Sequence, residues 1–182
     1  MPDPDRGRGP ASLALFCDEY LLTMAQSFWR HRDNRTSVFE LAVRELPAHR
    51  GYLIAAGLEP AVEYLTELRF EPGMLEWLAG LGGWDPGFLE HLGGLRFSGD
   101  VDAIAEGTVV GAATPLLRIR APRIEATLLE SALLAIVNHE VMVAGKAARV
   151  VEAARGRPVW DFSLRRLHGV QAGLGVARAA FI

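Results

Sequence analysis

Val159-Trp160-Asp161-Phe162-Ser163-Leu164-Arg165-Arg166-Leu167-His168-Gly169 is the stretch whose reading decides the fold. Its apolar opening predicts a buried strand, the arginine pair a basic loop, and the residues that run on to Ile182 a helix. A strand followed by a helix, after a long run of other structure, reads as the first βα unit of a barrel or open α/β sheet. In such folds chemistry gathers at the carboxyl ends of the strands, because the loops there converge on one crevice. Arg165, Arg166 and His168 sit at that end. One βα unit cannot close a sheet. The chain is therefore expected to hold a leading α+β domain with a small β substructure, over residues 12–155, and only the first strand-helix unit of an incomplete α/β barrel, over residues 156–182.

Composition sets the bounds. With 182 residues, half of them hydrophobic, the chain can bury one sizeable core. A net charge of −3 gives no global basic field, so nucleic acid and anionic membrane are not expected partners. Cys17 is the single cysteine, which excludes an intramolecular disulfide and a cysteine-rich metal site and fits a reducing, cytoplasmic compartment. Residues 1–11 are rich in proline, glycine and charge and read as a disordered tail, and no apolar run long enough for a signal core follows them.

The remaining pattern is mainly helical. Asp18 is placed to cap a helix whose apolar positions Leu21, Leu22, Ala25, Phe28 and Trp29 form one face. Residues 37–46 alternate as a half-buried strand, and Pro60 opens a helix reaching Leu68. Glu71-Pro72 and Asp85-Pro86 each start a short helix, since an acid at the cap accepts orphan amide protons and a proline at the first turn lacks one. Residues 97–121 turn to short antiparallel strands broken by glycine and proline. Residues 124–155 form a long helix in which Ile136, Val137, Val141 and Ala144 predict burial on two sides, ended by Gly156 and Pro158. His139-Glu140 opens like a zinc helix motif, but Val143 stands where the second histidine belongs, so the pair reads as an ordinary helix-surface feature. Gly173-Leu174-Gly175 lacks the third glycine of a dinucleotide fingerprint.

Five separated segments resemble the nicotinate phosphoribosyltransferase family in order: Cys17-Asp18-Glu19-Tyr20-Leu21-Leu22-Thr23-Met24-Ala25-Gln26; Phe39-Glu40-Leu41 with Arg44 and Pro47; Ala55-Ala56-Gly57-Leu58; Glu106-Gly107 with Pro115-Leu116-Leu117; and Asp161-Phe162 with Leu164-Arg165-Arg166. The resemblance implies the N-terminal portion of a type II phosphoribosyltransferase. Such an enzyme makes nicotinate mononucleotide, in NAD biosynthesis, from nicotinate and phosphoribosyl pyrophosphate, with hydrolysis of ATP and a requirement for Mg2+, and works as a homodimer. It also implies a phosphorylated histidine later in the barrel. None of His31, His49, His91, His139 or His168 occupies that motif, so no catalytic residue and no metal ligand is assigned here, and the chain alone is expected to be inactive.

By the same resemblance Tyr20 reaches nicotinate, across the dimer, and Arg165 and Arg166 are phosphate-binding candidates. The side chains suit those roles: tyrosine offers an aromatic face and a hydroxyl to a pyridine, and arginine a planar fork to phosphate. The alternatives are a partly buried core tyrosine, and an arginine paired with Asp161 or Glu152. Two other readings of the whole stand beside this one: a non-catalytic binding or dimerisation module with the same fold, and a sister enzyme acting on nicotinamide or quinolinate.

Overall fold

A computed structural model of the protein describes residues 10–182. Most of the expected tail lies outside the described residues; Pro10 and Ala11 begin a short 3-10 helix, Pro10–Leu15. Among the described residues the fold is mixed α+β, with small sheets, many helices and no closed barrel. Its elements run α1 (Glu19–Arg30), β1 (Thr36–Ala42), β2 (Leu53–Ile54), α2 (Leu58–Glu67), α3 (Pro72–Leu81), α4 (Pro86–Gly94), β3 (Asp100–Ala103), β4 (Val109–Val110), β5 (Pro115–Pro122), α5 (Arg123–Leu128), α6 (Glu130–Ala154) and α7 (Val170–Phe181). They form two compact units. The first comprises residues 10–39, Glu59–Val101 and Arg118–Leu134, and the second Glu40–Leu58, Asp102–Leu117 and Ala135–Ile182.

In the first unit α1 buries Leu21, Leu22, Ala25 and Gln26. The buried amide is satisfied, because Gln26 donates from Nε2 to the Gly83 carbonyl at 3.3 Å and accepts from the Asp85 amide at 2.7 Å. Trp29 and Trp84 both lie beside the fully buried Phe88. Gly87 permits this, since a β-carbon there would meet the Trp29 ring at 2.9 Å. The proline-opened helices α3 and α4 form as expected, but only one acid caps: Asp85 accepts from the Gly87 amide at 2.9 Å, whereas Glu71 makes no cap bond. Asp18 does not cap α1 either. Its carboxylate instead accepts from the Ser131 hydroxyl at 2.7 Å.

The strands order β1-β5-β3 in one sheet and β2-β4 in another. β5 is central and buries Leu116, Leu117, Ile119 and Ala121. β1 is an edge strand, with Val38 and Phe39 exposed rather than half-buried as their alternation suggested. β2 pairs antiparallel with β4, Leu53 opposite Val110; two residues are too few to carry a readable alternation, and this strand was not foreseen.

The long helix divides at Leu129 into α5 and α6. Burial along α6 is one stripe, not two sides: Ala132, Leu133, Val137, Glu140, Val141 and Ala144 are buried, while Leu134, Val150 and Val151 are exposed. Gly156, at φ +80°, lies just past its end as expected. The expected strand at residues 159–162 does not form. That segment is irregular, with Trp160 79% and Phe162 73% exposed, because a strand requires a hydrogen-bonding neighbour and all strands of the described residues pair among themselves. The helix expected after it is present as α7.

Candidate functional site

Tyr20 lies in the first turn of α1, in the first unit, on the side opposite the buried stripe. It is 54% exposed, against 2% for Tyr64, so it is not a core tyrosine. Its hydroxyl donates to Glu130 Oε1 at 3.2 Å. Two residues earlier Asp18 receives the Ser131 hydroxyl and donates its own amide to the same oxygen at 3.2 Å. The start of α1 is thus fastened twice to the start of α6, and two carboxylates stand around the phenol. Partial desolvation, then the Glu130 charge and hydrogen bond, then Asp18, hold the Tyr20 hydroxyl above its ordinary pKa. Burial, with Asp18 and Glu130 behind it, pushes the Cys17 thiol up to about 12, which leaves it an unreactive thiol at neutral pH.

Arg165 and Arg166 occupy a 3-10 turn of the second unit, Leu164–Arg166, and both are exposed. The acids weighed as their partners are engaged otherwise. Asp161 accepts from the Ser163 amide at 2.8 Å and its hydroxyl at 2.9 Å, and Glu152 accepts from the Tyr52 hydroxyl at 3.3 Å. Arg166 donates to the Phe162 carbonyl at 2.6 Å, while Arg165 forms no ion pair among the described residues. His168 is exposed beside them.

The second unit also holds a charged cluster that sequence reasoning missed. Arg178 of α7 donates to Glu140 of α6 and, at 2.5 Å, to Glu106. Glu106 Oε1 in turn accepts from the amides of Gly57 at 2.7 Å and Leu58 at 2.8 Å, capping the start of α2. Glu140 is therefore a buried ion-pair member, at 4% exposure, and not a helix-surface feature. Its place between Val137 and Val141 on the buried stripe was the available signal, but Arg178 and Glu106 lie 38 and 34 positions away, with nothing local to join them. Burial raises the Glu140 carboxyl above its ordinary pKa despite Arg178. Burial acts in the same sense on Glu106, but Arg178 and the Leu58 and Gly57 amides outweigh it and hold that carboxyl low. The two carboxylates share one guanidinium, and the one with backbone donors stays the stronger acid. Beside them His139 Nε2 is buried with no hydrogen-bond partner, against Gly175 of α7.

Among the described residues no group of three or more His, Cys, Asp or Glu side chains is arranged to hold a metal ion. No helix among them is long and apolar enough to cross a membrane.

The architecture and the ordered motifs are those of the leading domain of a pyridine phosphoribosyltransferase. The family model for the nicotinate phosphoribosyltransferase (NAPRTase) N-terminal domain matches residues 15–138. Nicotinate phosphoribosyltransferase pncB2 of Mycobacterium tuberculosis is 48% identical over 169 residues, covering 93% of this chain and 36% of that protein. The Bacillus subtilis nicotinate phosphoribosyltransferase is 40% identical, covering 94% and 35%. The crystal structure of human nicotinic acid phosphoribosyltransferase superposes with a TM-score of 0.82 at 32% identity, over 90% of this chain and 34% of that one. Nicotinate-nucleotide pyrophosphorylase from Pyrococcus furiosus shares the fold, with a TM-score of 0.74 at 19% identity. The chain belongs to the nicotinate phosphoribosyltransferase family, in its N-terminal domain. It spans about a third of the length of the curated relatives it matches.

Proposed function

We propose that this chain is the N-terminal portion of an enzyme that joins nicotinate to phosphoribosyl pyrophosphate with ATP hydrolysis, forming nicotinate mononucleotide in the cytoplasm. In that reaction the pyridine nitrogen forms a bond to ribose C1′ as the C1′–oxygen bond breaks and pyrophosphate leaves with the electron pair. Tyr20 lies against the nicotinate ring in the neighbouring subunit of a homodimer. Arg165 faces a phosphate, and Arg166 is the structural member of its pair. The observation that carries the reading is Tyr20 itself: a large aromatic face left open to solvent on the exposed side of an amphipathic helix, inside the segment that the family model matches. The bond from Arg166 to the Phe162 carbonyl and the unpaired exposure of Arg165 support the division between the arginines. ATP and Mg2+ belong to the remainder of the enzyme in this reading, where Mg2+ would neutralise phosphate charge.

The test is a graft. Residues 1–182 replace the matching third of the M. tuberculosis relative, and the product receives nicotinate, nicotinamide and quinolinate at equal concentration with phosphoribosyl pyrophosphate and ATP. Only nicotinate is expected to give a mononucleotide. Preference for either other pyridine would overturn the substrate assignment.

A further inference from the structure

We propose that Glu130 is the positioning residue for Tyr20, and that Tyr20 therefore meets nicotinate with its ring face and an acceptor oxygen, not as a hydrogen-bond donor. The inference rests on the placement of Tyr20 against nicotinate given above. A phenol has one proton, and here it is directed at Glu130 Oε1. The Glu130 carboxylate is a charged acceptor already in place, at 3.2 Å, before nicotinate arrives, so the proton is directed to it in the free protein. The oxygen's remaining lone pairs repel the carboxylate of nicotinate, which must find its cation elsewhere. What remains for the substrate is the flat ring, whose rotation is limited because the hydroxyl end is tied to α6 while Asp18 and Ser131 fasten the same helix start. An exposed ring held in one orientation before the substrate arrives loses less freedom on binding, which favours affinity for a planar pyridine.

Two experiments test this. In the 182-residue chain, ultraviolet titration of the protein less that of Tyr20→Phe isolates the Tyr20 phenol. It is expected to ionise above the ordinary tyrosine range, and Glu130→Gln is expected to bring it back toward that range. An ordinary titration in the parent chain would mean that the bond is not made in solution and would overturn the inference. In the grafted enzyme, Glu130→Ala and Tyr20→Phe are each expected to raise the KM for nicotinate about fivefold, the fold-change of one net hydrogen bond. The KM for phosphoribosyl pyrophosphate should not move. The double variant should be no worse than either single one, and Glu130→Gln, which keeps an acceptor oxygen, should retain most of the affinity.

If Tyr20→Ala raises the nicotinate KM while Glu130→Ala does not, or if the two losses add, Glu130 does not position the ring although Tyr20 still binds. If Tyr20→Ala leaves that KM unchanged, the placement of Tyr20 itself is wrong and the inference falls with it.

Discussion

A single residue in this protein can be judged by what its atoms already touch. Tyr20 is open on its ring and tied at its hydroxyl, so truncating it removes little core contact. Tyr20→Ala in the grafted enzyme is expected to raise the nicotinate KM about tenfold, as loss of an aromatic contact and its area burial does. Thermal denaturation should move by no more than a few degrees, and a sharp fall in Tm with an unchanged KM would make the tyrosine structural. Gly57 is the opposite case. Its φ is +93°, and a β-carbon there would sit 3.0 Å from the Val137 Cα, which is backbone and cannot turn aside. Gly57→Ala should destabilise by about 2 kcal/mol in urea unfolding, from strain alone, with no change in charge.

The two glutamates give the pH dependence. Glu106 is held below its ordinary pKa, so its contribution is present above the unfolded value, about 4.3, and is lost as pH falls through the lower folded value. Glu140 is held above, so its favourable contribution exists only below about 4.3 and is lost as pH rises through the higher folded value. Glu106→Gln should therefore cost stability at neutral pH and nothing in strong acid, whereas Glu140→Gln should lessen the decline of stability on the alkaline side of the glutamate range. Urea unfolding across that range reads both directions.

At the scale of elements, what was legible followed from local chemistry. Asp85-Pro86 and Glu71-Pro72 announced α4 and α3 because a proline is compatible with only one end of a helix, and the glycine and proline breaks after Phe97 announced β3, β4 and β5. The segment at 159–162 failed for a reason of the same kind: apolar composition predicts burial, but a strand exists only with its neighbour. Glu140 was misread because its neighbours in sequence are apolar and its partners are distant. The site divides likewise. Tyr20 stood out through the motif around it, while Glu130 and Ser131, which hold its helix, carried no motif. α7 depends on one such distant contact. Arg178→Ala leaves the buried Glu140 without its cation, and with the partial exposure of Arg178 the cost is about 2–3 kcal/mol. Hydrogen exchange should show α7 amides losing protection first, with α1 and α4 of the other unit unaffected; equal loss in α1 would contradict a local role.

For the whole molecule, the proposal is that the chain presents one substrate-facing tyrosine from its leading domain and an arginine corner from the segment after it, while the rest of the catalytic apparatus belongs to the other two thirds of such an enzyme. Chromatographic detection of nicotinate mononucleotide from nicotinate, ATP and phosphoribosyl pyrophosphate tests it most directly, run on the 182-residue chain and on the graft side by side. The account predicts no product from the chain and nicotinate-dependent product from the graft. Product from the chain alone, or a folded dimeric graft that makes none, would contradict it.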